Sequence, residues 1–152
     1  MTFKTFELSY RNHFVAMEYY YLVFNRTFLI LLTRDYLIGI QGNGLISTLS
    51  VQGNLDNPYA YVLSSYLDKM NDVELLDGSI VKANKVNFMI KRADIKNVYH
   101  NPEKKYGMGP YPHDGRIIVE TIDNKKREFI ILGNQYGQDV VDWILANEND
   151  DE

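Results

Sequence analysis

The chain of 152 residues contains no cysteine. This absence excludes disulfides, iron–sulfur clusters, thiolate zinc sites and cysteine nucleophiles, and it is typical of proteins kept in a reducing compartment. The fold must therefore be held by its core alone. With 45% hydrophobic and 24% charged residues, the composition is that of one globular domain rather than of a disordered chain.

Long apolar runs are also missing. The longest apolar stretch, residues 19–32, is interrupted by Asn25 and Arg26, and it is shorter than the ~20 apolar residues that a membrane-spanning helix needs. Residues 1–6 are not followed by the apolar region of a signal peptide. We expect a cytoplasmic protein without a transmembrane segment, whose contact with a membrane would be peripheral.

Motifs for catalysis, metals and nucleotides are lacking. No serine lies in a G-x-S-x-G context, and the spacing of His100, His113 and Asp114 fits no metal-site signature. Gly107 and Gly109 lack the flanking strand and helix of a phosphate-binding loop. We predict no metal and no cofactor, and we favour a non-enzymatic protein over an enzyme.

Hairpins dominate the pattern of the chain. Three are predicted, each from two β-prone runs joined by a few polar residues: residues 28–33 with 36–40, residues 86–90 with 95–99, and residues 116–122 with 127–132. The run 28–32 is apolar at every position, which indicates a strand covered on both faces. The turn at 123–125 is rich in residues that tolerate left-handed backbone.

Two amphipathic helices are predicted. Asn57 and Pro58 are suited to begin a helix, and apolar residues recur at helical spacing from Tyr59 to Met70. Residues 136–145 repeat with the same period and include the single tryptophan, Trp143. The following residues, 147–152, form an acidic segment that we expect to be disordered.

The N-terminal third and residues 75–81 give weaker signals. Residues 3–8 suggest a first strand. Residues 13–24 fit a helix by spacing and a strand by composition, and we favour the helix. Residues 75–81 contain the turn pair Asp77 and Gly78, which suggests a small hairpin.

Residues 88–95, 115–119 and 128–132, followed by the helix that ends at Trp143, Ile144 and Leu145, resemble the bacterial pleckstrin-homology-like (PH-like) superfamily in element order and hydrophobic pattern. The resemblance covers roughly 75 of the 152 residues. It implies an α+β, mainly β fold, in which a bent antiparallel sheet or barrel carries an amphipathic C-terminal helix and the helix near 57–70 is an insertion. We assign one such domain to residues 1–146 and an acidic tail to 147–152.

The resemblance also bears on function. Members of the superfamily mostly bind lipids, peptides or proteins, so it implies a binding or scaffolding role. The alternative is a small enzyme or small-molecule carrier with its site under the loop at residues 99–115. This loop contains three of the four prolines and three tyrosines, and long loops of this kind are often functional.

The charge is unevenly distributed. Residues 82–127 hold 11 basic and 5 acidic side chains, a net charge of +6, whereas residues 128–152 hold none and 7, a net charge of −7. Basic loops at one end of the sheet would attract an acidic protein or an anionic lipid surface. Nucleic acid is disfavoured by the acidic tail and by the overall charge of −4.

The candidate contacts come from this basic segment and from the long loop. They are Lys91, Arg92, Lys104, Lys105, Tyr106, Arg116, Lys125, Lys126 and Arg127. The alternative interpretation is that they are ordinary solvated turn residues, some of them neutralised by the acidic tail. The sequence leaves self-association into a homo-oligomer open.

Overall fold

The computed structural model describes residues 1–21, 24–42, 46–47, 70–104 and 113–146. Its strands are β1 (His13–Tyr21), β2 (Phe24–Leu32), β3 (Tyr36–Gln41), β4 (Ile46–Ser47), β5 (Phe88–Lys91), β6 (Ile95–Asn101), β7 (His113–Thr121) and β8 (Lys126–Leu132). Its helices are α1 (Ser79–Ala83) and α2 (Gly137–Leu145), and a 3₁₀ turn spans Arg92–Asp94.

The strands form one antiparallel sheet in the order β5-β3-β2-β1-β8-β7-β6, with the short β4 pairing with β2 outside this path. The sheet curls strongly. The curl is shown by Phe88 of the edge strand β5, which stacks on Phe129 of β8 with ring centroids 5.7 Å apart. A curled antiparallel sheet with a C-terminal helix confirms the predicted α+β, mainly β class.

Alternation along the strands produces a core on each face of the sheet. Val15 and Met17 point to one face, which the N-terminal segment and residues 70–80 cover. Phe14 and Ala16 point to the other face, which α2 covers with Val140, Val141 and Ile144. Residues 28–32 are buried throughout because both faces are covered, as their sequence predicts.

Two of the three predicted hairpins are confirmed. β2 pairs with β3, with Leu29 opposite Ile40, and β7 pairs with β8, with Ile118 opposite Glu128. In the second turn Asn124 has a φ of 64°, the left-handed backbone that asparagine tolerates.

The third predicted hairpin is wrong in its pairing. β5 and β6 exist, but they pair with β3 and β7 and lie at opposite ends of the strand order. The 3₁₀ turn between them is hydrogen-bonded to the turns of the β2–β3 and β7–β8 hairpins. Arg92 N donates to Asp35 O at 2.8 Å, and Ile122 N donates to Asp94 O at 2.9 Å. The chain thus crosses from one edge of the curled sheet to the other.

The helix favoured for residues 13–24 is also wrong. Residues 13–21 are strand β1, which pairs with β2 on one side and with β8 on the other. Pairing with two neighbours satisfies the backbone of β1 and overrides the helical spacing of its apolar residues. Residues 3–8 form no strand, because the chain turns at Thr2, where Phe6 N donates to Thr2 O.

Residues 75–81 do not form the predicted hairpin. Gly78, with a φ of 87°, precedes α1, and Asp77 Oδ1 accepts the Ser79 N–H at 2.9 Å. This local contact starts a helical turn instead of returning the chain. The helix predicted near 57–70, except for Met70, and the acidic tail at 147–152 lie outside the described residues, and the assignment of one domain to 1–146 stays a prediction.

The predicted C-terminal helix is confirmed as α2. Its buried residues are Gly137, Val140, Val141 and Ile144, while Tyr136 stands at its N-terminus and remains 69% exposed. Among the described residues, no helix has the length and apolar character needed to cross a membrane.

Candidate functional site

Two open clefts flank the 3₁₀ turn. The first, here named the lysine cleft, has a volume of about 830 Å³ and is lined by Lys91, Lys125 and Arg127 with Asp94 and Ile122. The second, here named the arginine cleft, has a volume of about 1250 Å³ and lies beside α2. The residues that define it are Arg11, Arg34, Arg92, Tyr10 and Trp143.

The arginines predicted as contacts are held by partners within the fold. The Arg127 guanidinium donates to both carboxylate oxygens of Glu18, at 2.7 and 2.6 Å, and lies 3.8 Å from the centre of the Phe88 ring. A two-point ion pair stacked on an aromatic ring fixes the position of the guanidinium. Arg127 therefore contributes to the packing of β8 against β1 and β5.

Arg92 and Arg116 also have structural partners. Arg92 Nη1 donates to the carbonyl oxygens of Ile144 and Ala146, at 3.4 and 3.3 Å, where α2 ends. A cation at this position balances the negative end of the helix. Arg116 Nη1 donates to Glu128 Oε2 at 3.1 Å on the paired strands β7 and β8.

The predicted lysines within the described ranges are exposed. Lys125 is 80% exposed, with Nζ 3.7 Å from Asp123 Oδ2, and Lys126 Nζ lies 3.5 Å from Glu120 Oε1. Exposed ion pairs of this kind contribute only ~0–1 kcal/mol, so both lysines can exchange these partners for others. Lys91 and Lys104 are also exposed.

The structure brings together only part of the predicted site. Lys91 and Lys125 line the lysine cleft, although Lys91 ends strand β5 and Lys125 lies in the turn between β7 and β8. Lys104 lies on the connection between β6 and β7 and is not part of that lining. Lys105 and Tyr106 lie outside the described residues.

The lysine cleft carries both signs of charge. Asp77 and Asp123 line it with Asp94. The hydrogen bond from the Ser79 hydroxyl lowers the pKa of Asp77, and the hydrogen bond from Thr121 Oγ1 lowers the pKa of Asp123. Both carboxylates therefore stay ionised at neutral pH, and the cleft contains anions as well as cations.

An apolar side chain lies among these charges. Ile122 follows β7 directly, lines the lysine cleft and is 64% exposed. The sequence predicts a strand that includes Ile122, whereas β7 ends at Thr121. An apolar pattern alone does not show where a strand ends. Ile122 therefore adds an exposed apolar contact to the charged lysine cleft.

His100 and Asp114, which were assigned to the long loop, lie on strands β6 and β7. His100 Nε2 donates to the Asp114 carbonyl oxygen at 2.7 Å, and Asp114 Oδ2 accepts the Gly137 N–H at 2.7 Å. The carboxylate thus binds the positive end of α2. The His100 ring lies so close to Gly137 that an added Cβ would approach it to 2.5 Å.

These contacts bear on the enzyme alternative. That alternative requires His100 or His113 beside a carboxylate in a closed pocket; His100 does lie beside Asp114, but the two contact each other and the first turn of α2. Across the described ranges, no three His, Asp or Glu side chains are grouped as metal ligands would be.

His113 provides a test of the pH dependence of stability. Its Nδ1 accepts the Gly115 N–H at 2.9 Å, which requires a neutral Nδ1. Burial, with a contribution from Lys104, lowers the pKa of His113 below its ordinary 6.5, although Asp114 acts in the opposite direction. The unfolded state therefore binds a proton more readily than the folded state, and stability falls as the pH drops through about 6.5.

We expect His113→Asn to reduce this pH dependence, because an asparagine side-chain oxygen can accept the same N–H without titrating. Urea unfolding at several values between about pH 7 and pH 5 measures the slope. His13, whose pKa burial also lowers, will leave a residual slope. Equal slopes for the wild type and the variant would contradict the assignment.

Comparisons with known proteins provide no further guide. Protein-family models, curated proteins and solved structures give no match to this chain. The function has to be inferred from the residues of the chain itself.

Two arginines of the arginine cleft were not predicted. Arg11 precedes β1 and Arg34 lies in the turn between β2 and β3, so both are far from the basic segment 82–127. Each is a single cation in its own part of the sequence. The pairing of β1 with β2, of β2 with β3 and of β3 with β5 brings them to the same cleft as Arg92.

Proposed function

We propose that this chain is a non-enzymatic binding domain with a PH-like fold that engages a protein partner through the lysine cleft. The observation that carries the proposal is the meeting of Lys91, at the end of β5, and Lys125, in the turn between β7 and β8, in one open cleft beside the exposed Ile122. The resemblance to the PH-like superfamily supports it, since binding is the usual role there.

The charges favour a protein over an anionic membrane surface. Asp77, Asp94 and Asp123 lie among the cations of the cleft, and a uniformly anionic bilayer would repel these carboxylates. A protein surface can instead present a complementary pattern of charge around an apolar contact. We place this interaction in the cytoplasm.

Charge reversal tests the proposal. We expect the paired substitution Lys91→Glu and Lys125→Glu to reduce the recovery of a specific partner by at least about tenfold, because like charges would then face each other across the contact. The measurement is quantitative mass spectrometry of proteins captured from an extract of the source cell. Lys104→Glu is the matched control, since Lys104 is exposed but lies outside the cleft.

Vesicles separate the two kinds of partner. If the partner is a protein, we expect the wild type and the paired variant to co-sediment equally with phosphatidylglycerol vesicles. If no captured protein depends on the two lysines while the vesicles bind through them, the proposal is wrong and the anionic membrane is the partner.

A further inference from the structure

The arginine cleft is formed by three separate parts of the chain. Arg11 comes from the segment before β1, Arg34 from the turn between β2 and β3, and Arg92 from the 3₁₀ turn. The cleft lies against α2 and shares no lining residue with the lysine cleft. An inference about it is therefore independent of the proposed function.

The three arginines differ in their roles. Arg92 is fixed, because it donates to the carbonyl oxygens of Ile144 and Ala146 at the end of α2. Its charge largely balances the negative end of the helix. Arg11 and Arg34 are exposed at the cleft, and their guanidinium groups can each bind a carboxylate at two points.

Apolar and aromatic side chains lie beside these cations. The rings of Tyr10 and Trp143 meet edge to face, with centroids 5.1 Å apart, and Tyr10 is 71% exposed. Leu145, also exposed, lines the same cleft. Aromatic side chains next to arginine are the usual centres of binding energy in protein recognition.

The size and the remaining charges of the cleft limit the choice of ligand. A volume of about 1250 Å³ exceeds the ~300–1,000 Å³ of a typical small-molecule pocket, and an extended peptide would fit it better. Asp139 and Asp142 of α2 also line the cleft. A ligand must therefore place its carboxylates at Arg11 and Arg34 and its apolar groups elsewhere.

We propose that the arginine cleft binds an acidic peptide segment of a partner protein, with its carboxylates on Arg11 and Arg34 and an apolar side chain against Tyr10, Trp143 and Leu145. The charge of the two exposed arginines and the apolar side chains that line the same cleft are the complement of such a peptide. This is a second contact of the domain, distinct from the lysine cleft.

The chain itself carries a segment of the same chemistry. Residues 147–152 directly follow Ala146, which lines the cleft, and they contain four carboxylates. A segment tethered at this point has a high effective concentration at the cleft. We therefore expect it to compete with an added peptide.

Trp143, the single tryptophan, allows binding to be measured directly. The probe is a synthetic peptide of alternating glutamate and leucine, and the control peptide has lysine in place of glutamate. We expect a saturable change in Trp143 fluorescence with the acidic peptide alone. The paired substitution Arg11→Glu and Arg34→Glu should raise its Kd by at least about tenfold, and Lys125→Glu should change it by less than about twofold.

The full chain is tested beside a variant with a neutral tail, in which Glu148, Asp150, Asp151 and Glu152 become the corresponding amides. A response to the acidic peptide in either protein, lost on reversal of the two arginines, supports the proposal. No response in either protein overturns it. Three other results also overturn it: an equal response to the acidic and the lysine peptide, an effect of Lys125→Glu as large as that of the paired arginine substitution, or a response only to phosphatidylglycerol vesicles.

Discussion

Replacement of Phe129 by alanine is expected to lower the free energy of unfolding by about 3–5 kcal/mol, the range for deleting a fully buried aromatic ring. Phe129 lies on the interior strand β8 and has no exposed surface. Its ring stacks on Phe88 at 5.7 Å and meets Phe14 edge to face at 6.5 Å. Its removal leaves a cavity between α2 and the sheet that neighbouring rings can fill only in part.

Chemical denaturation monitored by circular dichroism measures this loss. Tyr136→Ala is the matched control, because Tyr136 is 69% exposed and its side chain makes no cap hydrogen bond to α2. We expect the control to change stability by less than about 0.5 kcal/mol. A loss below about 1 kcal/mol for Phe129→Ala would contradict the proposed packing.

The same substitution should affect the lysine cleft. Phe88 belongs to β5, which ends at Lys91, and its ring contacts both Phe129 and Arg127. Without Phe129 the edge strand keeps the Arg127 contact but loses its ring stacking across the curled sheet. We therefore expect Phe129→Ala to weaken partner binding even under conditions where the variant remains folded.

Replacement of Gly115 by alanine is expected to lower the free energy of unfolding by about 3 kcal/mol. Gly115 has a φ of 69°, a conformation that costs a residue with a Cβ about 1–2 kcal/mol. The new Cβ would also lie 2.3 Å from Asn101 O and 2.6 Å from Pro102 Cα. These are backbone atoms, so strand β6 has to move, which typically costs a further ~1–3 kcal/mol.

Gly78→Ala separates the two contributions. Gly78 has a φ of 87°, but an added Cβ would meet no atom within 4 Å. We expect this control to lose only about 1 kcal/mol, from backbone strain alone. Urea unfolding of both variants measures the difference. Equal losses would show that the close approach of β6 to Gly115 contributes nothing.

Gly115 also positions the contacts around α2. The register of β7 against β8 shifts between His113 and Arg116, where Gly115 lies. Asp114, immediately before it, is turned toward Gly137 at the start of α2. A displacement of the chain at Gly115 should therefore loosen α2, which forms one wall of the arginine cleft.

The candidate contacts show how far charge in a sequence predicts a site. Lys91 and Lys125 belong to the same cationic segment as Arg127, and all three were predicted as contacts. The structure places Arg127 in an ion pair with Glu18, which is 109 residues away in the chain, and leaves Lys125 exposed. A sequence shows that a side chain is charged, whereas its partner depends on which strands become neighbours.

The local elements follow from the sequence alone. The hairpins β2–β3 and β7–β8 and the helix α2 need only a short apolar pattern and nearby turn or boundary residues, and each was predicted. The apolar run at 28–32 likewise indicated a strand covered on both faces. These features depend on contacts between residues close together in the chain, so the spacing of side chains is sufficient to predict them.

The remaining features depend on contacts between distant residues. β1 is a strand because β2 and β8 satisfy its backbone on both sides, and β5 and β6 separate because their partners are β3 and β7. Arg11, Arg34 and Arg92 meet because β1, β2, β3 and β5 are successive neighbours in the sheet. Backbone pairing and curvature bring together residues far apart in the chain, and a local sequence pattern does not predict which distant residues become neighbours.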